Sequence, residues 1–231
     1  MGLYIEALIR TDPELLWERT QEPALHQRWD LRFTEISPVP GGTGDGQRFR
    51  YATRVLPFVT VAGTGTNAGE RHRADGERVS ALRFASPQRL SLPAEGSGYW
   101  RYVPTPDGIR FLTGYDYRTR WGRFGAVADL LVFRPLMGWA TAWSFDRLRL
   151  WCERGISPAR SLAYALGEAV VRVALVVAAL PLGPAAVLPA ALAALLVPPG
   201  PGPARARRCR PRPPARTTAA PPPLLTRLER P

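Results

Sequence analysis

The chain has 231 residues, 45% of them hydrophobic, and a formal net charge of +12 whose 31 basic residues are all Arg. Length and composition suit one core domain with an added segment and exclude a disordered or fibrous chain. Cys152 and Cys209 lie in unrelated segments, which excludes a disulfide framework or a Cys-based metal site and fits a reducing compartment.

The first element is a strand, with Leu3, Ile5, Ala7 and Ile9 alternating against Tyr4, Glu6, Leu8 and Arg10. No charged segment followed by an apolar run precedes it, so no secretory signal is expected. Thr11-Asp12-Pro13 supplies a capping residue and a first-turn Pro for a short helix running to Thr20. Pro23 opens a second short helix through His26 and Trp29, and Leu31 to Ile36 returns to strand character.

Glycines and Asp between Gly41 and Gly46 make a turn cluster. Phe49, Tyr51, Thr53 and Val55 then share one strand face, with Arg48, Arg50 and Arg54 on the other. Pro57 breaks that run, and Phe58 to Thr66 forms the next strand, extended to Arg73 beyond a bulge. Asp75-Gly76 is a hairpin signal leading into a strand from Glu77 to Phe84.

The stretch from Gly96 to Trp121 is two strands about a Thr105-Pro106-Asp107-Gly108 turn. In the second, Ile109, Phe111, Thr113, Tyr115, Tyr117, Thr119 and Trp121 point one way, while Arg110, Leu112, Gly114, Asp116, Arg118 and Arg120 point the other. This period of two predicts a sheet with one wet face and one aromatic face. From about Phe124 to Glu153, Val127, Leu130, Leu131, Met137, Ala140, Trp143, Arg147 and Leu150 recur at helical spacing, so a long helix is the natural cover for the aromatic face. Pro135 should kink or split it.

Beyond Ser157 the character changes. Val173 to Val197 is 25 residues without a charge, more than the ~20 that cross a bilayer. Pro181, Gly183, Pro184 and Pro189 interrupt it, leaving two topologies: one kinked span, or a hairpin of roughly 162–180 and 185–197. Basic flanks prefer the cytoplasm, and Arg205, Arg207, Arg208, Arg210 and Arg212 follow the apolar run. Only the hairpin keeps both these residues and the folded domain cytoplasmic. Residues 200–231 hold 8 Arg against 1 acid, whereas residues 1–160 hold 22 Arg against 17 acids. The basic excess is thus largely a property of a Pro/Arg-rich tail that reads as disordered.

The order strand, two short helices, six strands, long helix is an α+β layout. With Thr11–Trp17, Pro23 to Trp29 and the final helix, it resembles the START/Bet v 1-like superfamily, also called SRPBCC or polyketide-cyclase-like. The stretches His26–Phe33, Gly96–Trp100 and Gly138–Arg147 are similar to an uncharacterised bacterial subgroup. The resemblance implies a helix-grip fold: a curved antiparallel seven-stranded sheet around a long helix, here over residues 1–155. A hydrophobic membrane segment at 160–199 and the tail at 200–231 complete the chain.

The bland reading of the aromatic residues is a solid core, but the resemblance implies an apolar cavity between sheet and helix, walled by Phe49, Tyr51, Tyr99, Phe111, Tyr115, Tyr117 and Trp121, with Trp143 from the helix. A hydrophobic small molecule or lipid is the expected ligand, held by a membrane-tethered domain on the cytoplasmic side. The other readings are a cyclase or aromatase-like enzyme and a membrane-assembly partner.

No catalytic motif is present. His26 and Asp30, four apart on a short helix, and Tyr115 are the candidates for acid–base work. Against this, Asp30 could simply end its helix, with His26 bonded to it at the surface. His72, between Arg71 and Arg73, is expected at the surface. Gly63, Gly65 and Gly69 miss the dinucleotide-loop spacing and precede no helix. No cofactor or metal is expected. Arg48, Arg50, Arg54, Arg110, Arg118 and Arg120 form a solvated outer face or one attracted to anionic headgroups. Nucleic acid is disfavoured because the aromatics face inward.

Overall fold

A computed structural model describes residues 2–39, 48–56, 59–198, 200–214, 221–222 and 225. The turn cluster at 41–46, the break at Pro57-Phe58 and most of the tail beyond 214 lie outside the described residues. Seven antiparallel strands, β1 (Leu3–Ile9), β2 (Glu35–Pro38), β3 (Arg48–Leu56), β4 (Val59–His72), β5 (Arg78–Ala85), β6 (Pro93–Thr105) and β7 (Gly108–Thr119), form one sheet in the order β1-β7-β6-β5-β4-β3-β2. Helices α1 (Pro13–Gln21) and α2 (Pro23–Trp29) interrupt the meander after β1. The first strand pairs with the last, which sets β1 beside the point where the chain leaves the sheet.

Local chemistry accounts for the elements. Asp12 caps α1, accepting from the amides of Glu14 (2.8 Å) and Leu15 (3.1 Å), with Pro13 at the first helical position. The bulge in β4 falls between Asn67 and Gly69, where the positive φ of Gly69 (115°) makes room for the extra residue. The second strand starts later than expected. Asp30 draws Leu31–Phe33 into a turn by accepting from the Arg32 amide (3.0 Å), which leaves β2 to begin at Glu35.

A continuous helical rod comes after the sheet: α3 (Gly122–Ala128), a π-helical turn (Asp129–Phe133) and α4 (Arg134–Arg154). Pro135 neither splits nor simply kinks the rod. Its missing N–H and bulky ring cannot fit the ordinary ladder, and the wider π turn just before it absorbs the misfit. The second half of the rod lies on β1. There Ile5, Ala7, Ile9, Trp100, Tyr102, Ile109 and Phe111 pack with Leu16 and Trp29 of the short helices and Ala142, Phe145 and Leu148 of α4. Each of the large aliphatic and Phe side chains among them contributes about 1.5–3 kcal/mol.

Two more helices, α5 (Pro158–Ala179) and α6 (Pro184–Leu196), pack on each other across a turn at Gly183. Arg172 of α5 reaches back to the end of α6, donating to the carbonyls of Ala194 and Val197, the latter at 2.7 Å. These are carbonyls the helix end cannot satisfy itself. Pro158–Leu182 is, among the described residues, the one helical stretch long and apolar enough to cross a bilayer. At 1.5 Å per residue, α6 spans only about 20 Å against the ~30 Å of a hydrocarbon core.

One part of the tail departs from expectation. Residues 203–210 are not disordered but clasp the domain. Asp146, buried on α4, binds Arg149 (2.7 Å) and Arg208 (2.8 Å) and accepts from the Arg205 amide (2.7 Å). Cys209 enters the core against the Ala142 carbonyl (3.2 Å), and Arg210 forms a β-bridge with Glu6 at the free edge of β1. Sequence periodicity missed this because the anchors are single side chains within a Pro/Arg-rich segment.

Candidate functional site

Strand alternation sorts the aromatic residues, and their position along the sheet decides their roles. Phe111 sits under the covered half of the sheet. Its ring is fully buried, 4.5 Å from that of Phe145 and 5.0 Å from that of Tyr102. It is solid core and not a cavity wall. Tyr99 pairs across from Gly114, one residue out of phase with Trp100, so it faces outward. There it joins Tyr4, Ala81 and Leu112 in a second small cluster packed by Val103 and Leu225. The outer face is therefore not uniformly wet.

Trp143 also leaves the set. Phe145 packs on the sheet, and a residue two positions away on a helix is turned by about 200°. Trp143 consequently lies on the back of α4, stacked on Trp139 (6.1 Å) and beneath the Arg147 guanidinium (5.2 Å). Trp121 lies at the rim, 46% exposed, with a left-handed φ of 65°. It lines a concavity of about 460 Å³ with Arg89, Ala94, Arg118, Thr119 and Arg120.

Phe49 and Tyr51 on β3 and Tyr115 and Tyr117 on β7 remain on the inner face, with three strands between the two pairs, and are partly exposed. The rings of Phe49, Tyr51 and Tyr115 lie flat rather than upright. A Cβ on Gly65 would meet the Phe49 ring, one on Gly63 the Tyr51 ring, and one on Gly98 the Tyr115 ring at 2.7 Å. Glycines on the neighbouring strands leave room for rings to lie along the sheet. The layer of side chains is thereby thinned. Phe33 packs beside Tyr51, with the two rings 5.7 Å apart. The π turn meets Tyr117: Asp129 accepts from the Tyr117 hydroxyl at 2.5 Å and from Arg134 at 2.8 Å, with Phe133 beside the ring. Burial raises the phenol pKa of Tyr51 to about 12, and burial with the Asp129 bond raises that of Tyr117. These rings stay neutral hydroxyl carriers at any ordinary pH.

His26 and Asp30 do pair, at 3.1 Å, in the interior rather than at the surface. Sequence reasoning missed their third member, Arg32, which binds Asp30 through two nitrogens (2.9 and 2.6 Å) and lies 4.9 Å over the Tyr115 ring. The Asp-x-Arg spacing was the available signal. Despite burial, the arginine holds the Asp30 carboxyl well below its usual range. The His26 ring sits among Trp29, Phe33 and Trp100, and desolvation lowers its pKa against the opposing pull of Asp30. Asp30 is thus spent on Arg32 and His26, and Arg32 in turn lies against the Tyr115 ring. His72 is exposed, as expected, against the edge of Trp17.

The outer arginines divide. Arg48, Arg50, Arg54 and Arg118 are at least partly open to solvent, whereas Arg110 pairs with the buried Glu6 (2.7 Å) and Arg120 turns back to the Ser86 carbonyl.

The curved sheet gripping a long helix is a helix-grip fold, the fold that the resemblance to the START/Bet v 1-like superfamily implies. The di-domain ARO/CYC StfQ from the steffimycin biosynthetic pathway superposes with a TM-score of 0.51 at 10% identity, over 66% of this chain and 50% of that one. A STAR-related lipid transfer protein from Xanthomonas axonopodis gives a TM-score of 0.46 at 13% identity, over 64% of this chain and 84% of that one. In sequence, the chain is 46% identical over 165 residues to the uncharacterized membrane protein YndG of Bacillus subtilis (strain 168). That match takes in 71% of this chain and 62% of YndG, so it spans less than two thirds of that relative. No family model matches the chain. The apolar helix and this relative together support membrane association.

Proposed function

We propose that residues 1–155 hold a hydrophobic small molecule or lipid between the sheet and the rod, and that residues 160–199 fasten this domain to the cytoplasmic side of a membrane. The observation that carries the reading is the flat-lying rings of Phe49, Tyr51 and Tyr115 over Gly65, Gly63 and Gly98. A fold seeking only a dense core gains more by standing such rings upright. Apolar walls with a few hydroxyls and one cation–aromatic pair, Arg32 on Tyr115, suit a mostly apolar ligand with a small polar end. Attachment to the membrane fits such a ligand, because a lipid exchanges there without crossing water.

Native mass spectrometry of the full chain, released from detergent, tests the reading. A retained apolar ligand that is lost in Tyr115→Ala, with folding intact, is the expected result. A protein that stays empty after exposure to a total lipid extract overturns it.

A cyclase- or aromatase-like activity is the second reading, favoured only by the meeting of His26, Asp30 and Tyr115. If an activity is found that survives both His26→Ala and Asp30→Ala, those residues do not catalyse it.

A further inference from the structure

The first half of the helical rod carries an apolar surface that none of the described residues covers. Phe124, Val127, Leu130, Leu131, Val132, Leu136 and Trp139 are each more than half exposed within sixteen consecutive residues. A soluble domain rarely leaves so contiguous a patch in water.

Two observations say what covers it. The patch is continuous with the root of α5. Trp139 stacks on Trp143, Arg147 lies over Trp143, and Arg147 donates to the Pro158 carbonyl (3.2 Å) in the first turn of α5. One line of side chains thus runs from the exposed face to the start of the apolar helix, with two Trp where a membrane boundary favours them.

The second observation is charge. Between Gly122 and Trp143 the only acid is Asp129, which is buried and bound to Arg134 and Tyr117. Arg123 is exposed, and at the far end the Phe124 ring adjoins Trp121 (6.3 Å), whose concavity is edged by Arg89, Arg118 and Arg120. An apolar helix face bordered by cations is the pattern of a helix lying in a bilayer interface.

We infer that the outer face of α3–α4 lies in the headgroup region of the membrane that α5 enters, so that the domain rests on an anionic bilayer along this rod rather than swinging free from its anchor. The inference holds whether or not the domain takes a ligand.

The test uses the full chain in vesicles of phosphatidylcholine and phosphatidylglycerol. A nitroxide is placed at Leu131→Cys or, as the reference, at exposed Arg71→Cys, both in a Cys152→Ala background, since Cys209 is buried. The label at position 131 is expected to collide several-fold more with dissolved oxygen, and less with a water-soluble nickel chelate, than the reference label. A position as open to nickel as the reference overturns the inference. Shielding from both reagents overturns it too, since it signifies a protein cover, either a second copy or another chain. On phosphatidylcholine alone the oxygen preference should fall by about twofold or more; an unchanged value removes the arginines from the contact.

Discussion

The Tyr115 ring lies across Gly98, the residue directly opposite it on β6, so closely that a methyl group there would touch two ring carbons at 2.7 Å. Gly98→Ala should therefore lift the ring off the sheet. The expected cost is about 1–3 kcal/mol of stability from crowding, accompanied by loss of any ligand seen by native mass spectrometry. Retention of ligand with unchanged stability would show that the flat ring is not a wall.

His26 should make stability pH-dependent. Its folded pKa lies below the ordinary 6.5 because burial disfavours the imidazolium. Protons then bind the unfolded chain more readily, so His26 contributes stability above about pH 6.5 that is lost as pH falls toward and through the lowered value. Asp30 and Glu6, held below 3.8 and 4.5, lose their contribution in the same direction but only at lower pH. Denaturant unfolding between pH 7 and pH 5 should show a decline that His26→Gln flattens. Equal slopes in both proteins would assign the pH dependence elsewhere.

Asp146 binds the clasp at 205–208 from a fully buried position. Asp146→Ala leaves Arg149 and Arg208 without this partner, and breaking a buried pair costs about 3–5 kcal/mol. Cys209 reports the outcome directly, since burial now pushes its thiol up to about 12 and keeps it inert. Reaction with a disulfide reagent should quicken at least tenfold as the clasp opens, a gain of about 1.4 kcal/mol in local opening. Cys209→Ala supplies the blank.

Arg172 holds the end of α6 against α5, so both ends of the hairpin should face one side of the membrane. Tags placed at the two ends of the chain are expected to be protected from external protease together. Arg172→Leu should abolish the common protection or lower the inserted yield severalfold, because Glu168 and the α6 carbonyls lose their partner. Tags on opposite sides in the unaltered chain would establish a single span.

Much of this architecture was legible in the residues. The seven strands came from alternation and turn chemistry, and even the β4 bulge near Gly69 was marked by its glycine. The face of Tyr99 was legible as well, since neighbours in a strand cannot share a face. Trp143 and Phe145 differ by a helical rotation that hydrophobic periodicity alone could not anchor to the sheet. Asp146 and the clasp were hidden for another reason. The clasp is a pairing between Asp146 and arginines 59 and 62 residues on, and no local pattern records which Arg of so many meets which acid, whereas Arg32 pairs locally and its Asp-x-Arg spacing was readable.

The clasp also orders events in time. A nascent chain delivers the sheet and rod long before residues 205–210 leave the ribosome, and the apolar hairpin lies between them. Asp146 and the open edge of β1 must wait for that segment to turn back, so the last contacts of the domain form only after α5 and α6 have doubled over each other.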